Sequence, residues 1–116
     1  MSQSPLGPST SLADMLSHLA ETIDTRATAD PAESYTAKLL SKGPLSCGKK
    51  IAEEGAELAL AIAAQGEEES ASEAADLLYH MLVGLRSKGV SLDKVAQALA
   101  KRQGVSGLAE KASRKD

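Results

Sequence analysis

Apolar residues through the middle of this chain recur every three or four positions, which is the spacing of one face of a helix. The pattern is clearest across residues 49–80, "KKIAEEGAELALAIAAQGEEESASEAADLLYH". No segment shows a convincing alternation of period two, so no strands are predicted. The chain has no Trp, no Phe and only two Tyr, and small Ala-rich side chains favour close helix packing over a sheet sandwich. The sequence therefore predicts an all-α fold, a bundle of about five helices.

Start and stop signals divide the chain into five helices between two polar tails. Serine caps are predicted to begin the first and the last helix. Asp30 is the predicted N-cap of the second helix, with Pro31 as its first helical residue and with Gly43 and Pro44 as its stop. The predicted helices cover about residues 11–26, 30–43, 46–65, 67–88 and 91–103. We expect one helical domain at 11–104, a loose tail at 1–10 and a polar tail at 105–116.

Composition argues against several classes of function. The formal net charge of -3 gives no support for binding to bulk nucleic acid. A single cysteine, Cys47, allows neither an intramolecular disulfide nor a thiolate metal site. No apolar run reaches the roughly 20 residues of a membrane span, and the first residues lack the features of a signal peptide. We therefore expect a cytoplasmic protein with no membrane contact, and its thin core favours oligomerisation.

Eight carboxylates are crowded into residues 49–80, beside the apolar faces. Carboxylates repel one another, and burying them without partners is costly. At about 100° per residue, Glu54 and Glu57 share one border of the first central helix, and Glu73 and Asp76 share a border of the second. The short turn at Gly66 makes the two helices antiparallel neighbours and brings both borders toward one cleft. Four carboxylates from two helices suit a hard cation, Mg²⁺ or Mn²⁺, rather than Zn²⁺.

Positive charge lies just upstream of these acids or among them. The lysines concerned are Lys38, Lys42, Lys49 and Lys50. Magnesium usually completes its shell with waters and phosphate oxygens, so a metal and these lysines together can hold a polyphosphate. A metal-held phosphate, a metal-activated water and a carboxylate base describe the hydrolysis of a phosphoanhydride.

Each of these residues also has a simpler interpretation. Charged side chains on helices usually lie in solvent, and residues 67–69 are expected to do only that, as three acids favoured by the helix dipole. We expect His80 to lie in the core or behind the metal ligands rather than to be a metal ligand itself. A non-catalytic helical interaction protein with solvated acids is the alternative from another functional class.

Four segments resemble the phosphoribosyl-ATP pyrophosphatase family of histidine biosynthesis: "SYTAKLLSKGP", "KKIAEEGAE", "EAADLLYHMLVGL" and "SGLAEKASR". The resemblance runs from about residue 12 to residue 115. The EExxE…ExxD pattern alone marks the wider superfamily of all-α, MazG-like nucleoside triphosphate pyrophosphatases, and the other segments narrow it to this member. A housecleaning pyrophosphatase of the same superfamily, acting on canonical or damaged nucleotides, is the nearest alternative.

The resemblance implies a reaction in which phosphoribosyl-ATP and water give phosphoribosyl-AMP and pyrophosphate, with Mg²⁺. It implies that the carboxylates of the two central helices hold the metal, and that Glu53 is an extra ligand or orients water. Lys50 would lie beside the phosphates. The residues implied in the substrate site are Tyr35, Thr36, Lys38 and, at a phosphate, Lys42.

The resemblance also implies a homodimer, which agrees with the thin core. In many organisms this domain is fused to the cyclohydrolase of the next step; these 116 residues contain no such domain, so the next enzyme is expected to be a separate protein. Where the family reads Gly then Ala around the first acidic motif, this chain has Ala52 and Gly55. That exchange of small residues is expected to adjust packing without loss of chemistry.

Overall fold

Five helices make up the fold in the computed structural model, which describes residues 11–103. They are α1 (Leu12–Arg26), α2 (Tyr35–Ser41), α3 (Pro44–Ala64), α4 (Glu67–Lys88) and α5 (Leu92–Arg102). No strand occurs in residues 11–103, so the prediction of an all-α fold with five helices is confirmed. The two predicted tails, 1–10 and 105–116, lie outside the described residues.

The ends of α1, α4 and α5 carry the capping chemistry that the sequence predicts. The hydroxyl of Ser11 accepts a hydrogen bond from the backbone N–H of Asp14 at 3.1 Å, and Ser91 does the same for Lys94 at 3.3 Å. Gly89 ends α4 with φ of 78°, and its N–H donates to carbonyls of the last helical turn. A side chain at this left-handed backbone position would be strained, which is why glycine is favoured there.

The predicted start of α2 is wrong. The helix begins at Tyr35, and its N-cap is Ser34, whose hydroxyl accepts from the backbone N–H of Ala37. The carboxylate of Asp30 instead accepts from the N–H of Ala32 at 2.9 Å, which forms a local turn rather than a helix start.

The predicted stop of α2 at Gly43 and Pro44 is confirmed, because the helix ends at Ser41 with Lys42 as its C-cap. The next helix, α3, begins at Pro44, slightly earlier than predicted, because proline is well suited to the first helical position.

The two long helices, α3 and α4, form the antiparallel pair on which the rest of the fold is built. Two residues connect them, and they make the most extensive contact between any two of the five helices. The side chain of Ile51 on α3 packs directly against Gly84 of α4, where an added Cβ would lie 2.7 Å from the Cδ1 atom of Ile51. Ala61 of α3 is completely buried. Small residues therefore allow the close packing that the composition predicts.

The buried core is small and lies between α1, α2, α3 and α4. Its members are Ile23, Leu39, Cys47, Leu82 and Val83, all almost inaccessible to solvent. Helix α5 contributes no buried residue, although Leu92 at its start packs against the core. Along α3, Ile62 is 67% exposed, whereas the neighbouring Ala61 is completely buried. No helix within residues 11–103 is long and apolar enough to cross a membrane.

Candidate functional site

Three glutamates from the two long helices meet at one place. Glu54 and Glu57 lie one turn apart on α3, and Glu73 lies on α4 close to the connection between the helices. Each offers a carboxylate oxygen, and these three oxygens all lie within 4.8 Å of one another. We call these three residues the acidic centre. The structure thus brings together three of the four carboxylates in which the sequence predicts metal ligands.

Asp76, the fourth predicted ligand, is exposed and is not among the carboxylates that meet within this distance. It is nevertheless electrostatically close, because its negative charge raises the pKa of both Glu57 and Glu73. One turn of α4 separates Glu73 from Asp76, so both lie on the same side of that helix. Asp76 is therefore placed at the margin of the acidic centre.

Glu73 carries the clearest sign that the acidic centre is built for a ligand. Its Oε2 atom is buried and has no hydrogen-bond partner in the structure. Burial raises the pKa of this carboxyl group above its usual range, and the negative charges of Glu57 and Asp76 raise it further. Buried polar atoms are rarely left without a partner. A cation at this position would supply the partner that the protein itself does not.

The pKa of Glu57 is also raised above its usual value. The largest influence on its pKa is a hydrogen bond with Glu54 that favours the protonated form, followed by the negative charge of Glu54, and both raise the pKa. The positive charge of Lys50 opposes this shift. Carboxylates that repel one another and offer clustered oxygens fit a hard divalent cation, which prefers oxygen ligands.

Three further residues considered in the sequence analysis border the acidic centre: Lys50, Glu53 and His80. Lys50 is half-buried on α3, and its charge acts on both Glu57 and His80. Glu53 is exposed and lies close enough for its charge to act on His80. His80 is buried, as the sequence favours, and burial followed by the charge of Lys50 lowers its pKa below the usual range. Both influences favour the neutral imidazole.

The start of α2 lies against α4 through an aromatic cluster that we define as Tyr35, Tyr79 and His80. The rings of Tyr35 and Tyr79 stack with centroids 6.4 Å apart, and the His80 ring packs edge-on against both. Tyr35 is 53% exposed. Thr36 is 7% exposed, and its hydroxyl lies 2.6 Å from the Tyr79 hydroxyl.

The remaining predicted substrate residues are surface lysines. Lys38 lies on α2, Lys42 caps the end of that helix, and Lys49 lies in the second turn of α3. All three side chains are exposed. Exposure leaves them available to a phosphate, but it does not by itself distinguish them from ordinary surface residues.

Sequence reasoning missed the connection between Thr36 and Tyr79. The two residues are 43 positions apart, so no local pattern predicts their contact. The one available signal was the position of Tyr79 three residues after Asp76, a spacing that places both on the same side of a helix.

A separate cavity of about 300 Å³ lies between α1, α4 and the start of α5. It is lined mainly by apolar side chains, with an ion pair in which Arg86 Nε donates to Asp24 Oδ1 at 2.7 Å. No member of the acidic centre lines it. A smaller pocket of about 150 Å³ lies at the acidic centre, bordered by Glu57, Leu60, Gln65 and Glu73.

Known proteins resemble this chain over most of its length. The family model for phosphoribosyl-ATP pyrophosphohydrolase matches residues 16–103. Phosphoribosyl-ATP pyrophosphatase of Caulobacter sp. (strain K31) is 54% identical over 103 residues, which cover 89% of this chain and 95% of that protein. Phosphoribosyl-ATP pyrophosphatase 1 of Rhodopseudomonas palustris is 51% identical over 100 residues, with 86% and 94% covered.

A two-function relative matches as well. Histidine biosynthesis bifunctional protein HisIE of Wolinella succinogenes is 56% identical over 110 residues, which cover 94% of this chain. The chain spans about half of that relative, since the match covers 48% of its length. The matched region contains the acidic centre and the aromatic cluster. Taken with the family match over residues 16–103, these relatives show that the chain belongs to the phosphoribosyl-ATP pyrophosphohydrolase family.

Proposed function

We propose that this protein hydrolyses phosphoribosyl-ATP to phosphoribosyl-AMP and pyrophosphate, as a step of histidine biosynthesis. The family membership and the names of relatives more than 50% identical support this substrate. The observation that carries the proposal is the acidic centre, in which oxygens of Glu54, Glu57 and Glu73 meet within 4.8 Å. Clustered carboxylates suit the hydrolysis of a phosphoanhydride because the reaction develops negative charge that a cation can balance.

Mg²⁺ is the cation that we propose for this site, and Mn²⁺ suits it by the same chemistry. Glu54, Glu57 and Glu73 would hold it, with Asp76 at the margin. When bound, such a cation polarises phosphoryl oxygens and lowers the pKa of a coordinated water. The buried and unpartnered Oε2 atom of Glu73 supports a resident cation rather than a surface group of acids.

Residues around the acidic centre would bind and orient the substrate. Lys50 brings a positive charge beside Glu57, where it would face the phosphates of a bound nucleotide. Glu53 is exposed, and its carboxylate would orient a water molecule or add a ligand. The exposed lysines, Lys38, Lys42 and Lys49, would neutralise outer phosphate charge. The half-exposed ring of Tyr35 offers the apolar face that a nucleotide base or sugar can pack on.

We also propose that the chain functions as a homodimer. Large apolar side chains are exposed along α3 and on α5, among them Leu45, Leu60, Ile62 and Leu99. Exposed apolar surface of this kind marks interfaces in many proteins. Sedimentation equilibrium tests the proposal, because a dimer has twice the 12.0 kDa mass of the chain. A cytoplasmic location also stays a prediction.

Pyrophosphate release from a panel of nucleotides tests the proposed substrate. We expect fast release from phosphoribosyl-ATP and slow release from ATP and the deoxynucleoside triphosphates. Faster release from simple nucleotides than from phosphoribosyl-ATP would favour a housecleaning pyrophosphatase that uses the same carboxylates. No release from any of them by folded protein would favour the helical interaction protein.

A further inference from the structure

The two residues predicted at the start of α2 are not equivalent. Tyr35 is 53% exposed and can touch a ligand, whereas Thr36 is 7% exposed. The Thr36 hydroxyl is already engaged, at 2.6 Å from the hydroxyl of Tyr79. Because the side chain is almost buried, little of that hydroxyl is open to a ligand. The geometry therefore points to an indirect role for Thr36, exercised through its partner on α4.

Helix α2 needs such an anchor because it is short. It has seven residues, whereas isolated helices below about 12–15 residues are marginal in water. Its position must come from contacts with the rest of the fold. Near its end, Leu39 packs in the core. At its start, the contacts to α4 are the hydrogen bond between Thr36 and Tyr79, the stacking of Tyr35 on Tyr79 and the edge-on contact of Tyr35 with His80.

Tyr79 makes both kinds of contact from the helix that carries the acidic centre. It lies three residues after Asp76 on α4, a spacing that places the two on the same side of the helix. Its ring also packs edge-on against His80, with centroids 5.0 Å apart. Tyr79 thus connects both residues at the start of α2, Tyr35 and Thr36, to the helix that presents Glu73.

We propose that Tyr79 is a positioning residue for substrate binding, which holds the start of α2, and with it the ring of Tyr35, at a fixed place relative to the acidic centre. This inference rests on the proposed function, because it takes Tyr35 as a contact to phosphoribosyl-ATP. Loss of the hydroxyl of Tyr79 leaves the acidic centre intact but lets the start of α2 sample other positions. The apparent affinity is then the intrinsic affinity multiplied by the fraction of molecules that keep the competent arrangement.

The test compares steady-state kinetics of the wild-type chain with Tyr79→Phe, Thr36→Val, Thr36→Ser and the Tyr79→Phe/Thr36→Val double variant. For Tyr79→Phe we expect the KM for phosphoribosyl-ATP to rise by up to about fivefold, the largest factor that one net hydrogen bond supplies, with a much smaller change in kcat. Thr36→Val should match it, and Thr36→Ser should restore the wild-type KM because the hydroxyl is kept. The double variant should be no worse than either single variant, since both remove the same bond.

Two readouts separate this role from simple destabilisation and from a fault in the acidic centre. Melting temperature reports stability, and the rise in melting temperature on adding Mg²⁺ reports the metal site. The proposal predicts that Tyr79→Phe keeps the Mg²⁺-dependent rise while its KM changes. A lower melting temperature with an unchanged KM would overturn it, because the bond would then be structural only.

Other outcomes of these experiments also decide whether the proposal stands. A much larger effect for Thr36→Val than for Tyr79→Phe, with additive losses in the double variant, would show that Thr36 contacts the substrate directly and would overturn the proposal. If Tyr79→Phe does not fold, the two Thr36 variants decide instead, because they alter the same bond from the α2 side. Thr36→Val removes the bond, and Thr36→Ser keeps it. Wild-type protein that releases no pyrophosphate from phosphoribosyl-ATP would overturn the proposed function itself, and this inference with it.

Discussion

Two groups of three glutamates on this molecule have the same chemistry and different surroundings. The acidic centre combines Glu54 and Glu57 of α3 with Glu73 of α4, and its carboxylate oxygens lie within 4.8 Å of one another. The second group, which we call the acidic cap, consists of residues 67–69 in the first turn of α4. All three side chains of the acidic cap are exposed.

The difference lies in what each group faces. The acidic cap faces water at the N-terminus of a helix, where the helix dipole favours negative charge. The acidic centre faces a second helix, so its charges repel across a cleft and one carboxylate oxygen is buried without a partner. Only in the acidic centre would a bound cation relieve the repulsion that arises when all members are charged. Two packed helices turn an ordinary residue type into a candidate site.

The largest expected effect is on turnover. Glu57→Gln removes a charge from the acidic centre while keeping the side-chain shape, and we expect the rate of pyrophosphate release to fall at least about 100-fold, because metal ions supply several kcal/mol to such reactions. Glu68→Gln in the acidic cap is the matched control and should stay within about twofold of wild type. Equal rates for the two variants would remove the distinction between the groups.

A smaller effect, of opposite sign in the two groups, is expected on the stability of the metal-free protein at pH 7. Glu57→Gln should raise the melting temperature, because it relieves repulsion from Glu54 and Asp76. Glu68→Gln should lower it slightly, since a charge in the first turn of a helix contributes about 0.3–1 kcal/mol at most. Thermal denaturation after chelation of divalent ions measures both. Destabilisation by Glu57→Gln would contradict the electrostatic account.

The smallest effect is a dependence on pH. The pKa of Glu57 and that of Glu73 are raised in the folded chain above their usual value of 4.5. A raised pKa means that the folded state binds protons more readily than the unfolded state, so these groups destabilise the fold above the raised pKa, and this cost disappears as the pH falls through it. The difference in melting temperature between metal-free Glu57→Gln and wild type should therefore shrink as the pH falls from 7 toward the usual value of 4.5.

A cation reverses this dependence, because metal ligands must be deprotonated. With Mg²⁺ present, the stabilisation of the wild-type protein should weaken as the pH falls over the same interval. A difference in melting temperature between wild type and Glu57→Gln that stays constant with pH in the metal-free protein would contradict this. It would show that the carboxyl group of Glu57 is not coupled to its neighbours as described.

The sequence predicts the long helices and their meeting better than the short elements. The bounds of α4 follow from acids at its start and Gly89 at its end, because both signals have a direct backbone cause. The start of α2 was misplaced because Asp30 and Pro31 carry the signature of a helix start, while Asp30 satisfies its own carboxylate in a turn. Ser34 carried the correct cap signal four residues later.

The acidic centre could be predicted only in part. Spacing of three residues on each helix, together with the short turn at Gly66, predicts that carboxylates of α3 and α4 converge. Which members converge most closely depends on the rotation of each helix about its axis, so the outlying position of Asp76 was not predictable. The bond between Thr36 and Tyr79 depends on how α2 docks, and a contact across 43 residues leaves no local trace.

Calorimetric titration of Mg²⁺ into the metal-free protein shows whether the carboxylates of α3 and α4 hold a divalent cation. We expect saturable binding by wild type and by Glu68→Gln, and loss of that binding in both Glu57→Gln and Glu73→Gln with the fold preserved. Undiminished binding by Glu57→Gln and Glu73→Gln, or the absence of binding by wild type, would contradict it.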